Sequence, residues 1–215
     1  MNNMKNIDYW EKVINDSPLS YRKWFLGEKK FLRKNIFKNA RVLDVGCGDG
    51  RSFNDIINKT QNLVGVDHEK KAIQDAKEKF KKYPKVKFVV ADAVKLPFRQ
   101  NEFDCVMCMG SMCNFGDAKM DVLREMKRVL KKHKEIIISV FSENAFRERM
   151  KIYKELKTPI KEIRGTTVIF DKKLGDNISE QFSRKQLTEM FNNVKLKVIE
   201  IKKAGIGYLC RLQKV

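Results

Sequence analysis

The chain has 215 residues, of which 42% are hydrophobic and 34% are charged. This length is enough for one domain with a full core, and the hydrophobic content excludes an intrinsically disordered chain. The formal net charge of +19 would attract nucleic acid or an anionic membrane surface. However, the basic residues are spread along the chain, and their short runs lie on helical patterns. This distribution favours solvated helix faces over a docking patch.

No apolar run approaches the ~18 residues of a membrane span, and the first residues lack the continuous apolar core of a signal peptide. Five cysteines, an odd number without a paired framework, are typical of reduced thiols. We therefore expect a cytoplasmic location. Cys105 and Cys108 have a C-x-x-C spacing, but their strand-like context puts them on opposite faces, so we expect no metal site.

Two amphipathic segments come first in the chain. They are "MKNIDYWEKVIND" and "LSYRKWFLGEKKFLRKNIF", and both predict helices separated at Ser17-Pro18. Their aromatic residues are most simply helix-packing residues, although Tyr21 or Trp24 could instead contact a ligand.

Short apolar runs then alternate with helical patterns. The predicted strands are Arg41–Val45, Asn62–Asp67, Val86–Asp92, Phe103–Met109 and Glu135–Phe141. The predicted helices between them are Ser52–Asn58, Glu69–Lys82 and Ala118–Lys132. Nearly continuous apolar strands that alternate with helices indicate a parallel sheet covered on both faces.

The last third of the chain predicts a helix, a strand pair, a second helix and a final strand pair. In order these are Asn144–Leu156, Gly165–Ser183, Ser183–Asn192, and Lys195–Lys203 with Ile206–Leu212. The first pair turns at Leu174-Gly175-Asp176, and Ser183 is placed to cap the second helix. The final pair is joined by Ala204-Gly205, a connection short enough for antiparallel strands.

The stretch "RVLDVGCGDGRS" places a glycine-rich loop between the first strand and the helix that follows it. A dinucleotide-binding loop requires G-x-G-x-x-G, but Arg51 occupies the position of its third glycine. Asp44, just before the first glycine, would repel a pyrophosphate and suits a ligand that carries positive charge, such as an ammonium. The alternative is that Asp44 only caps the loop amides.

Carboxylates also follow the next two predicted strands. Asp67 ends "LVGVD" at the position where doubly wound folds hold ribose hydroxyls. Asp92, in "ADAVKLPF", could accept a hydrogen bond from an adenine amino group, while Ala93 leaves room for the ring. Because parallel strands present their carboxyl ends at one edge of the sheet, these residues and the glycine loop together predict a site for a nucleoside with an amino-acid tail.

Four motifs in this order resemble the class I S-adenosylmethionine-dependent methyltransferases, in particular the small single-domain branch often grouped as type 11. They are "VLDVGCGDG", "LVGVD", "VVADAVKLPF" and "FDCVMCMGSMCNF" with the later "LREMKRVL". The resemblance implies an α/β fold with a doubly wound, seven-stranded Rossmann-like sheet, an antiparallel last strand, N-terminal helices and a helix–hairpin insertion after strand five.

The resemblance also implies a single methyltransferase domain with four parts. They are an N-terminal helical cap at 1–40, a cofactor-binding core at 41–141, a lid-like insertion at 142–182, and a C-terminal helix and strand pair at 183–215.

S-adenosylmethionine is the cofactor that the resemblance implies. Gly46, Cys47 and Gly48 would pass close to its methionine part, and Asp44 would help to hold its ammonium. The other implied cofactor contacts are Asp67 at the ribose hydroxyls, His68 along the adenine, Asp92 and Ala93 at the adenine edge, and Met109 near the sulfonium. The exposed start of a helix is an equal interpretation for His68.

Candidate acceptor contacts are Ser111, Asn114 and Tyr153. No catalytic residue is predicted, because a sulfonium is already a good leaving group and a general base is needed only for an acceptor that arrives protonated.

The acceptor is best interpreted as a small molecule. The loop "CMGSMCNFGD" lacks the prolines of enzymes that methylate base amino groups, and no Pro-Cys pair like that of cytosine C5 enzymes occurs in the chain. In type 11 enzymes an insertion like 142–182 covers a small-molecule pocket. An RNA methyltransferase that uses the basic surface, a protein or peptide methyltransferase, and a non-catalytic cofactor-binding module stay open as alternatives.

Overall fold

A computed structural model describes residues 19–174 and 177–215 of the chain. The first predicted helix, "MKNIDYWEKVIND", lies outside these residues. None of the helices in the described ranges combines the length and the apolar character that a membrane-spanning helix requires.

The described residues contain ten strands and six α-helices. The strands are β1 (Val42–Val45), β2 (Leu63–Asp67), β3 (Lys87–Val90), β4 (Phe103–Met109), β5 (Leu130–Phe141), β6 (Ile160–Arg164), β7 (Thr167–Phe170), β8 (Ile178–Ser179), β9 (Leu196–Ala204) and β10 (Gly207–Lys214). The helices are α1 (Leu19–Asn35), α2 (Phe53–Ile56), α3 (Lys70–Lys79), α4 (Lys119–Val129), α5 (Phe146–Glu155) and α6 (Arg184–Asn193).

The central sheet has seven strands in the order β3-β2-β1-β4-β5-β10-β9. The first five pair in parallel, and β10 runs antiparallel to both of its neighbours. Every residue of β1 and all but one of β4 are buried, as expected for strands that helices cover on both faces. The predicted doubly wound sheet with an antiparallel last strand is confirmed.

The helices pack on the sheet through the apolar stripes that the sequence shows. In α4 the buried side chains are Val122, Leu123, Met126 and Val129, which recur at helical spacing. Helix α6 begins with a capping box, in which Ser183 and Gln186 satisfy each other's backbone N–H groups, so the predicted cap is confirmed.

The boundary between α4 and β5 differs from the prediction. The helix was expected to continue to Lys132 and the strand to begin at Glu135, but α4 ends at Val129 and β5 starts at Leu130. The cause is a long-range contact: Lys214 Nζ donates to the carbonyl oxygen of Leu130 at 2.6 Å. Leu130 also pairs with Phe103 of β4 before a register shift. Helical periodicity within the segment carries no information about these partners.

The segment between β5 and α6 folds as a helix and a small separate sheet. Strands β6, β7 and β8 form this sheet in that order, all antiparallel, and the β7–β8 pair matches the predicted hairpin. Strand β6 was not predicted, since its residues are mostly exposed and charged and show no apolar alternation. The two ends of the segment meet: Phe182 N donates to Phe141 O at 3.0 Å, and Glu143 N donates to Phe182 O at 3.0 Å.

Helix α1 lies against the turn between β9 and β10 at a distance that only glycine permits. A Cβ atom on Gly205 would lie 2.2 Å from the carbonyl oxygen of Ser20, and Gly205 has a positive φ of 54°. This close approach fixes the first turn of α1, and with it Tyr21 and Trp24, over the sheet.

We expect Gly205→Ala to destabilise the protein by more than backbone strain alone. The left-handed conformation costs a non-glycine residue roughly 1–2 kcal/mol, and a clash with a packed backbone adds about 1–3 kcal/mol. Urea unfolding measures both terms.

Gly165→Ala is the matched control for this experiment. Gly165 has a positive φ of 60°, but nothing lies within 4 Å of an added Cβ atom, so only the backbone cost applies. Equal losses of unfolding free energy in the two variants would show that α1 does not rest on this turn.

Candidate functional site

A cavity of about 530 Å³ opens at the carboxyl edge of the central sheet, beside the ends of β1, β2, β3 and β4. Its volume lies within the ~300–1,000 Å³ of sites for small molecules and cofactors. Of the residues that the sequence predicts for a site, those lining the cavity are Gly46, Cys47, Gly48, Asp67, His68, Asp92, Ala93, Met109, Ser111 and Asn114. Asp44 and Tyr153 do not line it.

The glycine loop is held in place from two neighbouring strands. Gly46 N and Cys47 N both donate to the carbonyl oxygen of Val66 in β2, at 2.9 and 3.0 Å. On the other side Ser111 Oγ, which follows β4, donates to the carbonyl oxygen of Gly46 at 2.7 Å. A Cβ atom at Gly46 would lie 2.6 Å from that of Ser111, so the loop can lie this close to the β4 end only as glycine.

Asp67 connects the end of β2 to the glycine loop. Its Oδ2 accepts a hydrogen bond from Gly48 N at 2.9 Å, and its Oδ1 accepts one from Glu69 N at 3.0 Å. His68 Nδ1 lies 3.5 Å from Oδ1, and the His68 side chain is 79% exposed. The carboxylate is therefore fixed in direction while the imidazole stands at the rim of the cavity.

Asp92 closes a turn at the end of β3. Its Oδ1 accepts a hydrogen bond from Val94 N at 3.0 Å, and the residue is exposed at the mouth of the cavity. Ala93 is half-buried beside it and presents only a methyl group to the lining. The β3 end thus provides a carboxylate next to a small apolar surface.

Asp44 lies beneath the glycine loop and not in the cavity wall. It is buried, and its Oδ1 has no hydrogen-bond partner among the described residues. Burial raises the pKa of Asp44 well above its ordinary value; the positive charge of Arg51 opposes this shift, and the negative charge of Glu28 adds to it. The structure therefore keeps a carboxyl group at this position at an energetic cost.

An ion pair beside the loop, between a half-buried arginine and a buried glutamate, was not predicted from the sequence. Arg51 Nη2 lies 2.8 Å from Oε2 of Glu28, which is completely buried in α1 and also accepts a 2.5 Å hydrogen bond from Ser139 Oγ. Arg51 lines the cavity, and its guanidinium carbon lies 4.7 Å from the ring centroid of Phe25. The signal for Glu28 was present: it lies in the apolar stripe of α1, four residues after Trp24 and three before Phe31.

Aromatic residues from α1 form one wall of the cavity. Tyr21, Trp24 and Phe25 line it together with Phe141 at the end of β5. The Trp24 and Phe141 ring centroids are 4.7 Å apart, and those of Tyr21 and Phe141 are 6.0 Å apart. The rings therefore pack with the core, as the simpler interpretation expects, and also face the cavity.

The segment between β5 and α6 contributes to the cavity through residues that were not predicted. Asn177 and Ser179, at β8, line it. The predicted acceptor contact Tyr153 lies behind them, where its hydroxyl group accepts a hydrogen bond from Arg149 Nη2. A helical pattern shows which residues are apolar, but not which of them the insertion turns towards the cavity.

The cysteine residues are buried and form no disulfide in the described ranges. Burial raises the pKa of the Cys47 thiol well above its ordinary value, and nearby Asp44 and Asp67 raise it further, so the group is held as a neutral thiol. No group of three or more His, Cys, Asp or Glu side chains in residues 19–174 and 177–215 is arranged to hold a metal ion.

We expect the free energy of unfolding of Asp44→Asn to increase relative to that of the wild type as the pH rises from ~4 to ~7. The raised pKa means that the unfolded chain releases its proton at a lower pH than the folded chain does. The wild-type free energy of unfolding therefore falls through this window, and the amide removes that term.

Urea unfolding of both proteins across this pH range gives the difference. Asp121→Asn is the control, since Asp121 is an exposed partner of Arg124 on α4 and its substitution should add little pH-dependent difference. If the Asp44→Asn difference is independent of pH, burial does not raise the pKa of Asp44.

Comparisons with known proteins agree with this fold. A family model described as a methyltransferase domain matches residues 42–133. A demethylmenaquinone methyltransferase from Bacillus licheniformis is 32% identical over 136 residues, which are 62% of this chain and 56% of the relative. The chain thus spans about half the length of the curated relatives it matches.

Two solved structures are similar over most of the chain. The PH0226 protein from Pyrococcus horikoshii has a TM-score of 0.74 and 24% identity, and the match covers 97% of this chain and 99% of that one. A SAM-dependent methyltransferase from Methanosarcina mazei has a TM-score of 0.67 and 20% identity, covering 86% and 97%. Residues 42–133, which include the glycine loop, thus match a methyltransferase domain, and the whole described fold is similar to that of these two structures.

Proposed function

We propose that this chain transfers a methyl group from S-adenosylmethionine to a small-molecule acceptor. The observation that carries the proposal is a single cavity in which the glycine loop, Asp67, Asp92 and Met109 meet, with walls from α1 and β8 around the remaining space.

The fixed position of Asp67 fits a ribose. Each of its oxygens accepts one backbone hydrogen bond, from Gly48 N or Glu69 N. An ionised carboxylate has about four lone-pair sites, so both oxygens keep capacity for a hydroxyl group. We assign Asp67 to the two ribose hydroxyls, Asp92 with Ala93 to the adenine edge, and His68 to the exposed rim of that subsite.

The glycine loop and Asp44 fit the methionine part of the cofactor. An added Cβ atom at Gly48 would meet nothing within 4 Å, so the loop leaves open space here. Asp44 is buried beneath the loop and does not line the cavity, so we propose that its charge attracts the ammonium from below. An ammonium nearby would favour the ionised form of Asp44, and binding would release a proton.

When it is bound, S-adenosylmethionine supplies a methyl group on a positively charged sulfonium. The residues of this chain have to align the acceptor with that methyl group and exclude water. Met109 at the end of β4 and the aromatic wall of Tyr21, Trp24 and Phe141 provide an apolar surface for this purpose. We assign no general base.

Two features favour a small acceptor over a nucleic acid. Asn177 and Ser179 of the 142–182 segment, proposed here as the lid, and the rings of α1 enclose the acceptor end on two sides. The similar protein from Bacillus licheniformis is named for a demethylmenaquinone acceptor, which is a small molecule.

We expect S-adenosylhomocysteine to bind and to raise the thermal stability of the protein, and NAD to do neither. At ~100 times its dissociation constant the ligand should add about 2.7 kcal/mol to the free energy of unfolding. Asp67→Asn should weaken binding about 10- to 100-fold, in line with ~1.5–3 kcal/mol for a charge-assisted hydrogen bond.

Asp75→Asn is the matched control, because Asp75 pairs with Lys71 on the surface of α3 and does not line the cavity. Stabilisation by NAD but not by S-adenosylhomocysteine would refute the cofactor assignment. Equal affinities for wild type and Asp67→Asn would refute the ribose assignment alone.

The acceptor class is tested by filter binding to bulk tRNA at several salt concentrations, on protein saturated with S-adenosylhomocysteine. We expect weak binding to tRNA, with no change when Arg147, Lys151 and Lys154 of α5 are replaced by glutamine. Tight binding that falls steeply with salt, and is lost in the glutamine variant, would favour an RNA methyltransferase instead.

A further inference from the structure

Arg149 is a buried cation for which the described residues supply no carboxylate partner. It lies on α5 with 1% of its surface exposed. Its hydrogen-bond partners among the described residues are neutral: Nη2 donates to the hydroxyl groups of Tyr153 and of Ser179, the latter at 2.6 Å. Its Nε has no hydrogen-bond partner, and none of the ion pairs within residues 19–174 and 177–215 includes it.

Such burial is costly unless something compensates for it. Moving a guanidinium out of water costs several kcal/mol even after relaxation, and neutral hydrogen-bond partners offset only part of that. Arginine cannot escape by losing its proton in the usual pH range. The positive charge therefore persists in the folded protein and acts electrostatically on the groups next to it.

The cavity wall is what lies next to it. The Arg149 guanidinium carbon is 3.7 Å from the ring centroid of Phe141, and Ser179 Oγ accepts its hydrogen bond. The charge of Arg149 also acts on the nearby hydroxyl group of Tyr21. Tyr21, Phe141 and Ser179 all line the cavity, so we call these three residues, with Arg149 behind them, the Arg149 wall.

This wall is at the opposite end of the cavity from the proposed nucleoside subsite. Asp67 ends β2, whereas Phe141 ends β5, and the strand order β2-β1-β4-β5 separates them by three strand spacings. At about 4.8 Å per spacing this is roughly 14 Å. The acidic residues at the cofactor end are therefore too far from Arg149 to compensate its charge at the acceptor end.

We propose that the Arg149 wall binds an anionic oxygen of an aromatic acceptor. This inference rests on the proposed methyl transfer and identifies the chemical class of its acceptor. The rings of Tyr21, Trp24 and Phe141 present flat apolar surface to an aromatic molecule. The Ser179 hydroxyl group, which accepts a hydrogen bond from Arg149, and the Tyr21 hydroxyl group can donate their own protons towards its oxyanion.

Burial raises the pKa of Tyr21, and the nearby charge of Arg149 only partly opposes this, so Tyr21 stays protonated as a hydrogen-bond donor.

An acceptor held as an oxyanion also accounts for the lack of an assigned base. The acceptor donates an electron pair to the methyl carbon while the carbon–sulfur bond breaks and its pair stays on sulfur. The negative charge of the acceptor and the positive charge of the sulfonium are both lost, and no proton needs to be removed.

The test is calorimetric titration of the protein saturated with S-adenosylhomocysteine. The probes are 4-nitrophenol at a pH where it is ionised, benzoate, and the neutral 4-nitrobenzyl alcohol. We expect at least one of the two anions to bind about 10-fold or more tightly than the alcohol. Preference for 4-nitrophenolate identifies the phenolate as the anionic group, and preference for benzoate identifies a carboxylate.

Variants of the wall connect this preference to Arg149. Tyr21→Phe keeps the ring, and Ser179→Ala keeps the backbone of β8; both should reduce the anion preference several-fold, and Arg149→Gln should abolish it. Tyr208→Phe is the matched control, because the Tyr208 hydroxyl bonds Glu143 away from the cavity. If Arg149→Gln does not fold, the two milder variants still decide the question.

The affinity for S-adenosylhomocysteine should be unchanged in the control Tyr208→Phe, and it is measured for every wall variant so that the probes are compared on saturated protein. Equal affinity of the wild type for the anions and the alcohol would overturn the proposal, as would an anion preference that all the wall variants keep. Failure of the wild type to bind S-adenosylhomocysteine would instead count against the proposed function and is recorded before any probe is added.

Discussion

The ion pair between the buried Glu28 and the half-buried Arg51 joins the parts of the protein that have to act together. Glu28 belongs to α1, Arg51 follows the glycine loop, and Ser139 of β5 bonds the same carboxylate. Because Glu28 is completely buried, removal of Arg51 would leave its charge uncompensated, at a cost of about 3–5 kcal/mol. The helix that covers the cavity and the loop that forms its floor are therefore held to one another and not only to the sheet.

Much of the sheet could be predicted from the sequence because its strands are short apolar runs bounded by turns. Strand β4 was predicted from Phe103 to Met109, as observed, and the loop carboxylates follow from strand ends alone. The end of α4 could not be predicted, since it depends on Lys214, 84 residues away from Leu130. Local patterns record what a segment prefers, and a distant side chain can override that preference.

The site was predictable where backbone and strand order determine it, and unpredictable where packing does. Asp67, Asp92 and the glycine loop converge because parallel strands share one carboxyl edge. Tyr153 was expected to contact an acceptor, but Ser179 faces the cavity and Tyr153 lies behind it, next to Arg149. The sequence also gave no reason to pair Arg149 with Phe141 and Ser179, because each belongs to a different element.

Negative and positive side chains lie at opposite ends of the cavity, and this separation fits the proposed chemistry. Asp44, Asp67 and Asp92 belong to the ends of β1, β2 and β3, whereas Arg149 stands behind the end of β5. A cationic sulfonium ligand is attracted to the first group and an anionic acceptor to the second. The two ligands would approach one another from opposite ends, and their charges cancel as the methyl group moves. Under this proposal the field selects the two ligands and aligns them, but it stabilises the charged reactants more than the transition state, so its contribution is to binding and orientation and not to lowering the barrier of the transfer step.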